Sequence, residues 1–193
     1  MQYLQYLVIV GAIVNLVGIA SYVRETLKGK TKPNRISWLL WTIAPLIATA
    51  AALVDGVRWA VLPVFISGFG PLLVLFASFV NNKSYWKLEK FDYICGLFSV
   101  LALVLWVITK EPAVAIIFAI ASDGFAAIPT LIKLWKHPDT ETADAYMAGL
   151  FSSLTSFAAI GVWGFASVAF PTYLVIMNSF LVLAIYKNRI IGR

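Results

Sequence analysis

Side chains that carry chemistry are scarce in this chain. Among its 193 residues there is one cysteine, Cys95, and one histidine, His137, and only 12% of the chain is charged. A single cysteine excludes an internal disulfide, and its place in an apolar run reads as a small packing residue. His137 falls between two such runs. No group of His, Cys, Asp and Glu has the spacing of metal ligands, so neither a metal nor a cofactor is expected. The sequence also lacks a P-loop, a Gly-rich dinucleotide fingerprint and a zinc-protease motif. Without clustered catalytic groups, an enzyme is not expected.

What the chain has in abundance is hydrocarbon. Hydrophobic residues make up 61% of it, against about 45–50% in globular domains. A membrane span needs about 20 mostly apolar residues. Seven runs approach that length, over residues 3–23, 35–54, 58–80, 93–109, 112–135, 144–164 and 166–187. The expected fold is an all-α integral membrane protein with seven transmembrane helices. The first run has no basic segment before it and no small-residue cleavage site after it, so it reads as a mature helix rather than a signal peptide.

The net charge of +6 follows topology, and nucleic acid is therefore not an expected partner. With seven spans, one side of the membrane holds the first, third and fifth loops and the C-terminal tail. That side carries thirteen Lys and Arg residues, from Arg24 to Arg193, and the other side carries only Arg58 and Lys110. Basic loops stay in the cytoplasm, which places the N-terminus outside and the C-terminus inside. Trp59, Trp86, Trp135, Tyr85 and Tyr186 fall near helix ends, where amphipathic rings anchor at the interface. The expected location is multi-pass in the plasma (inner) membrane of a prokaryote.

A shift of 108 residues lays the chain on itself without a gap. Gly56 meets Gly164, Pro63 meets Pro171, Lys28 meets Lys136, aromatic Trp38 meets aromatic Tyr146, and Asn15 meets Asp123. The offset aligns three successive runs of each half. The chain thus divides into a first three-helix repeat (1–81), a linking fourth helix (82–110), and a second three-helix repeat with a short basic tail (111–193). The linking helix reverses the chain, so the repeats run parallel, and carriers of that kind bind solute near the midplane between them.

Asp123 is the strongest single signal. It interrupts "AIIFAIASDGFAAIPTLIKLW", where a carboxylate costs about 2.5–3.5 kcal/mol on insertion scales. Low-dielectric surroundings disfavour its charged form, so it is a candidate for binding a proton or a substrate. The alternative is a structural carboxylate bonded to Ser or Asn on a neighbouring helix. Asn15 occupies the matching place in the first repeat, either as a second binding group or as an interhelical hydrogen bond of about 0.6–2 kcal/mol. Ser122, Ser152, Ser153, Thr155 and Ser156 are weaker candidates for polar lining. Trp38, Trp41 and Tyr146 head the second and sixth runs, and read as interface anchors ahead of an inner gate.

Seven helices as three, one and three, with a basic loop after the first helix of each repeat, resemble the PQ-loop superfamily. This group includes the SWEET sugar facilitators, cystinosin-type exporters, PnuC-type vitamin transporters and the KDEL receptor. In "AAIPTLIKLWKHPDTET" Pro129 stands at the place of the family's proline, with Thr130 where the family has glutamine. "GIASYVRETLKGKTKPNRISW" has the loop without the proline. The resemblance implies a transporter of a small neutral or zwitterionic solute (a sugar, an amino acid or a vitamin-like molecule) working by alternating access, with Asp123 the group for any proton coupling. It also implies a pocket asparagine in the seventh helix, matched by Asn178, whose repeat mate is Gly70. Pro45, Pro63, Pro129 and Pro171 resemble its helix hinges, with static kinks as the alternative. The competing class on the same fold is a non-transporting receptor or interaction protein, which the short, nearly uncharged outer loops disfavour. A retinal protein needs a lysine inside the last helix, and Lys187 is at its end. The expected partners are a small-molecule solute and the lipid bilayer, with a homo-oligomer left open.

Overall fold

In hydrocarbon every backbone N–H and C=O has to be satisfied within its own segment, so apolar runs of this length close into helices. The computed structural model describes residues 6–54, 62–81, 83–109, 112–160 and 163–190. Among them are seven α-helices: α1 (Tyr6–Leu27), α2 (Arg35–Val54), α3 (Leu62–Val80), α4 (Lys90–Ile108), α5 (Pro112–Lys136), α6 (Asp144–Ser156) and α7 (Phe165–Ile190). Two short 3-10 turns, Pro138–Thr140 and Phe157–Ala159, complete the described secondary structure. The segments Tyr6–Leu27, Ile116–Lys136 and Ser167–Lys187 are each long and apolar enough to cross a membrane, and Phe65–Val80 is a shorter apolar helix. These helices make the chain a membrane protein. Its outer surface agrees: α4 leaves Phe91, Ile94, Leu97, Leu101 and Val104 exposed, a face suited to lipid and not to water.

The sixth run is shorter as a helix than its apolar length of 144–164 predicts. The α-helix ends at Ser156 and tightens into the 3-10 turn. Three hydroxyls at that end turn back on their own backbone: Ser153 donates to Gly149 C=O at 2.7 Å, Thr155 to Ser152 C=O at 2.7 Å and Ser156 to Ser152 C=O at 3.2 Å. Such bonds compete with the helical ladder. The residues 55–61, with Arg58 and Trp59, and Lys110 lie outside the described residues, as does the side chain of Pro63.

In packing, α3 lies against both α1 and α2, and α7 against both α5 and α6. The two sets meet where α1 crosses α6 and where α2 crosses α5, while α4 packs on α5 and α2. The α1–α6 crossing is close because small residues line it. A Cβ on Gly18 would lie 2.4 Å from the Ala148 Cβ and 2.7 Å from the Asp144 carbonyl oxygen. Without a hydrophobic drive between helices in lipid, such small-residue faces are how backbones approach.

The loops after α1, α3 and α5 and the end of α7 gather on one face. Lys32 N–H donates to Thr140 C=O at 2.9 Å and Trp86 N–H to Pro33 C=O at 3.2 Å. Asn81 Nδ2 donates to Leu27 C=O at 2.8 Å, and Lys187 donates to Trp135 C=O. Gly29 makes the first of these loops possible, with φ of 81°, a conformation open to glycine at little cost. Asn34 starts α2 by accepting from Ile36 and Ser37 N–H, and its amide reaches Asp92 at the head of α4 at 3.2 Å.

Candidate functional site

A cavity of about 310 Å³ lies among the helices, lined from all of them except α4. It brings together the three residues singled out as binding candidates, Asn15 on α1, Asp123 on α5 and Asn178 on α7. The Tyr173 hydroxyl donates to Asp123 Oδ2 at 2.6 Å, so the carboxylate's partner is a phenol on α7 and neither asparagine. The Trp41 indole N–H lies close to the same carboxylate without closing a hydrogen bond of ordinary geometry. Asn178 gives its amide N–H to Leu174 C=O at 2.8 Å, which leaves its carbonyl oxygen for the cavity. That approach needs Gly149: a Cβ there would lie 2.8 Å from Asn178 Oδ1.

Ser152, Ser153 and Ser156 line the cavity, but Ser122 does not. It is turned to α4, where its hydroxyl donates to Ser99 C=O at 2.9 Å and Ser99 donates back to Ser122 C=O at 2.7 Å. Thr155 is packed instead at Gly11 of α1. Pro45 and Pro171 lie on the cavity wall, whereas Pro129 is buried in α5 away from the lining. A larger groove, about 630 Å³, runs on the flank of α5 and α7 past Leu131, Trp135 and Phe180. Its wall is almost wholly hydrocarbon; of its two lysines, Lys136 and Lys187, the second donates to Trp135 C=O.

Towards the loop face the cavity is capped. Trp38 and Tyr146 line it and are only 2% and 4% exposed. Trp38 stacks obliquely on Tyr22 with ring centroids 4.7 Å apart, and Tyr22 meets Tyr146 edge-on at 6.1 Å. Buried inside the bundle, these rings are not the interface anchors that their place at helix heads suggested. Beyond them Glu141 accepts from Tyr22 Oη at 2.6 Å and from Tyr146 Oη at 3.2 Å, and forms an ion pair with Lys133. Lys133 also donates to Lys32 C=O in the first loop, and its ammonium lies 5.4 Å from the centre of the Trp86 ring. Both charged side chains are sealed from solvent, so Lys133 belongs to the interior and not to the basic surface with which its position grouped it. Burying two charges is costly unless they are paired and otherwise hydrogen-bonded, and here every partner is supplied.

No protein-family model, curated protein sequence or solved structure matches this chain. The site therefore stands on its own geometry. Three of its members escaped the sequence reading. Tyr173 is the 108-residue mate of Phe65 and sits five positions before Asn178, so its depth in the last run was visible while its partner was not. Lys133 and Glu141 are separated by the loop "LWKHPDT". The available signal was a lysine lying two residues inside the end of an apolar run.

Proposed function

We propose that the chain is a carrier that moves a small solute by alternating access, on seven membrane-crossing helices arranged as two parallel three-helix units with α4 as the link. The observation that carries the reading is the shared cavity. Asn15 and Asp123, mates at the 108-residue offset, line one cavity between the two sets of helices. The packing supports the duplication. Exchanging α1 with α5, α2 with α6 and α3 with α7 turns the helix contacts of one set into those of the other. Where α1 crosses α6, Gly18 lies against Ala145; where α5 crosses α2, Thr130 donates to Ser37 at 2.9 Å. Ser37 is the mate of Ala145, and Thr130 stands about one turn beyond Ala126, the mate of Gly18. The link breaks the symmetry by packing on α5 and α2 alone.

The basic loops gathered on one face support an inward C-terminus. In this arrangement the Lys133–Glu141 pair and the rings above it close the cytoplasmic end of the cavity. The PQ-loop resemblance is part of the same proposal. A carrier has to offer its cavity to each side in turn, and a non-transporting receptor to one side only. With Cys95 replaced by serine, Ser152→Cys on the cavity wall should react with a membrane-impermeant maleimide applied from either face. Labelling from one face alone, under every condition, would sink alternating access.

A further inference from the structure

The described residues that line the cavity include one formal charge, Asp123, and no lysine or arginine. Aromatic rings share the lining: Trp41, Trp38, Tyr146 and Phe170 border the same space, and the Phe170 ring centre lies 5.9 Å from that of Tyr173. A single carboxylate among electron-rich rings is suited to a positive nitrogen, by ion pairing and by cation–π attraction worth about 0.5–2 kcal/mol per ring. A solute carboxylate or phosphate would meet only Asp123 and neutral donors. The cavity, at about 310 Å³, is near the lower bound of ordinary small-ligand pockets, roughly 300 Å³.

A carboxylate in low-dielectric surroundings without a cationic partner is neutralised by whatever positive species can reach it. Tyr173 of α7 is the titratable group in contact with Asp123. From α2 the groups presented are the indoles of Trp38 and Trp41, which do not titrate, while its Arg35 is turned to Ser78 at the end of α3. The ionisable groups of α4 are Lys90, Asp92, Tyr93 and Cys95, all on the loop side of Ser99, the residue that meets Ser122. On α5 itself Lys133 lies about 15 Å further along the axis at 1.5 Å per residue and is bound to Glu141. On α6, Tyr146 is bound to the same glutamate. No fixed cation among the described residues competes for Asp123.

We infer that the cavity takes a small organic monocation, a solute with a protonated or quaternary amine and no carboxylate, which exchanges with a proton at Asp123. On binding, the Asp123 O–H bond breaks, its proton leaves to the solution on the open side, and the carboxylate pairs with the ammonium without any change in the bonds of the solute. On release the carboxylate takes a proton back. Since cation and proton neutralise the same group, one crosses for the other. This deepens the carrier reading of the same cavity and depends on it for the exchange step, though not for the binding step.

The test uses choline as probe, titrated calorimetrically into the full-length protein in nanodiscs. Affinity should weaken by about tenfold per unit of pH below the titration of the carboxyl, with proton release on binding. The uncharged isostere 3,3-dimethyl-1-butanol should bind at least about tenfold more weakly, as should betaine, which adds a carboxylate. Asp123→Asn should weaken choline by roughly 30-fold or more. Trp41→Ala, which removes one of the rings, should weaken choline by several-fold, and thermal unfolding reports whether either variant has lost its fold. Equal binding of choline and the neutral isostere, choline binding unchanged in a folded Asp123→Asn protein, or no choline binding at all would overturn the assignment. Choline bound but never passed across a proteoliposome would instead overturn the carrier reading and leave the cation site. Uptake of a neutral solute without choline binding would do the reverse.

Discussion

At the scale of single residues the energetic extremes are two carboxylates inside the bundle, one sealed and one on a cavity wall. Glu141 is tied to Lys133 and to two phenols, and removing one member of a buried pair leaves an uncompensated charge. Lys133→Met should destabilise the protein by about 3–5 kcal/mol, while the double variant Lys133→Met, Glu141→Leu should lose much less than the two single losses added together. Reversible unfolding in detergent measures both, and additive losses would show that the pair is not coupled. Asp123 has one hydroxyl partner and open space. Asparagine in its place still presents an acceptor to Tyr173, so Asp123→Asn should cost no more than about 1 kcal/mol. If the carboxyl gains and loses a proton in each cycle, that same variant should lose the pH dependence of uptake, and retention of the dependence would reject the coupling role. The position of Asp123 was legible in the sequence because a charge in an apolar run stands out. Its partner was not, because Tyr173 is 50 residues away and nothing in spacing says which face of α7 meets α5. Glu141 was hidden for another reason. It looks like one acid among the polar residues of a loop, and only the fold of that loop back onto Tyr22 and Tyr146 buries it.

At the scale of elements, hydrophobic length read the helices well and their ends less so. The runs are interrupted where Gly, Pro and charges cluster, and the helices follow those breaks. The early end of α6 depends on which way three hydroxyls turn, and a run of apolar letters does not encode that. Helix pairing was likewise invisible until the small residues of α1 could be set against α6. At Gly18 an added methyl would meet the backbone carbonyl of Asp144, which cannot move without parting the helices. At Gly11 it would meet chiefly the Thr155 hydroxyl, a side chain with other rotamers. Gly18→Ala should therefore cost more than Gly11→Ala, with overpacking in the range of about 1–3 kcal/mol for the former. Thermal unfolding of the two variants gives the order, and a reversed order would mean that α1 and α6 are not held at the distance described.

At the scale of the whole molecule the decisive quantity is which way the chain runs. The loops after α1, α3 and α5 share hydrogen bonds, and the end of α7 is tied to the end of α5 through Lys187 and Trp135. Four chain segments that meet on one face cannot be divided between two sides of a membrane. In the proposed topology their basic residues, against only Arg58 and Lys110 in the remaining loops of the sequence, would turn that face to the cytoplasm. Lys133 drops out of this asymmetry because it is buried, which still leaves twelve basic residues against two. Reporter fusions after Gly29 and after Lys136 should therefore both report cytoplasm, and a fusion at Asp55 should report the outside. The two loops occupy matching places in the two halves. A shared side means that the halves enter the membrane in the same direction, which an odd-numbered unit achieves only if the link crosses once. Reporters on opposite sides would reject both the proposed parallel arrangement and the proposed single crossing of α4.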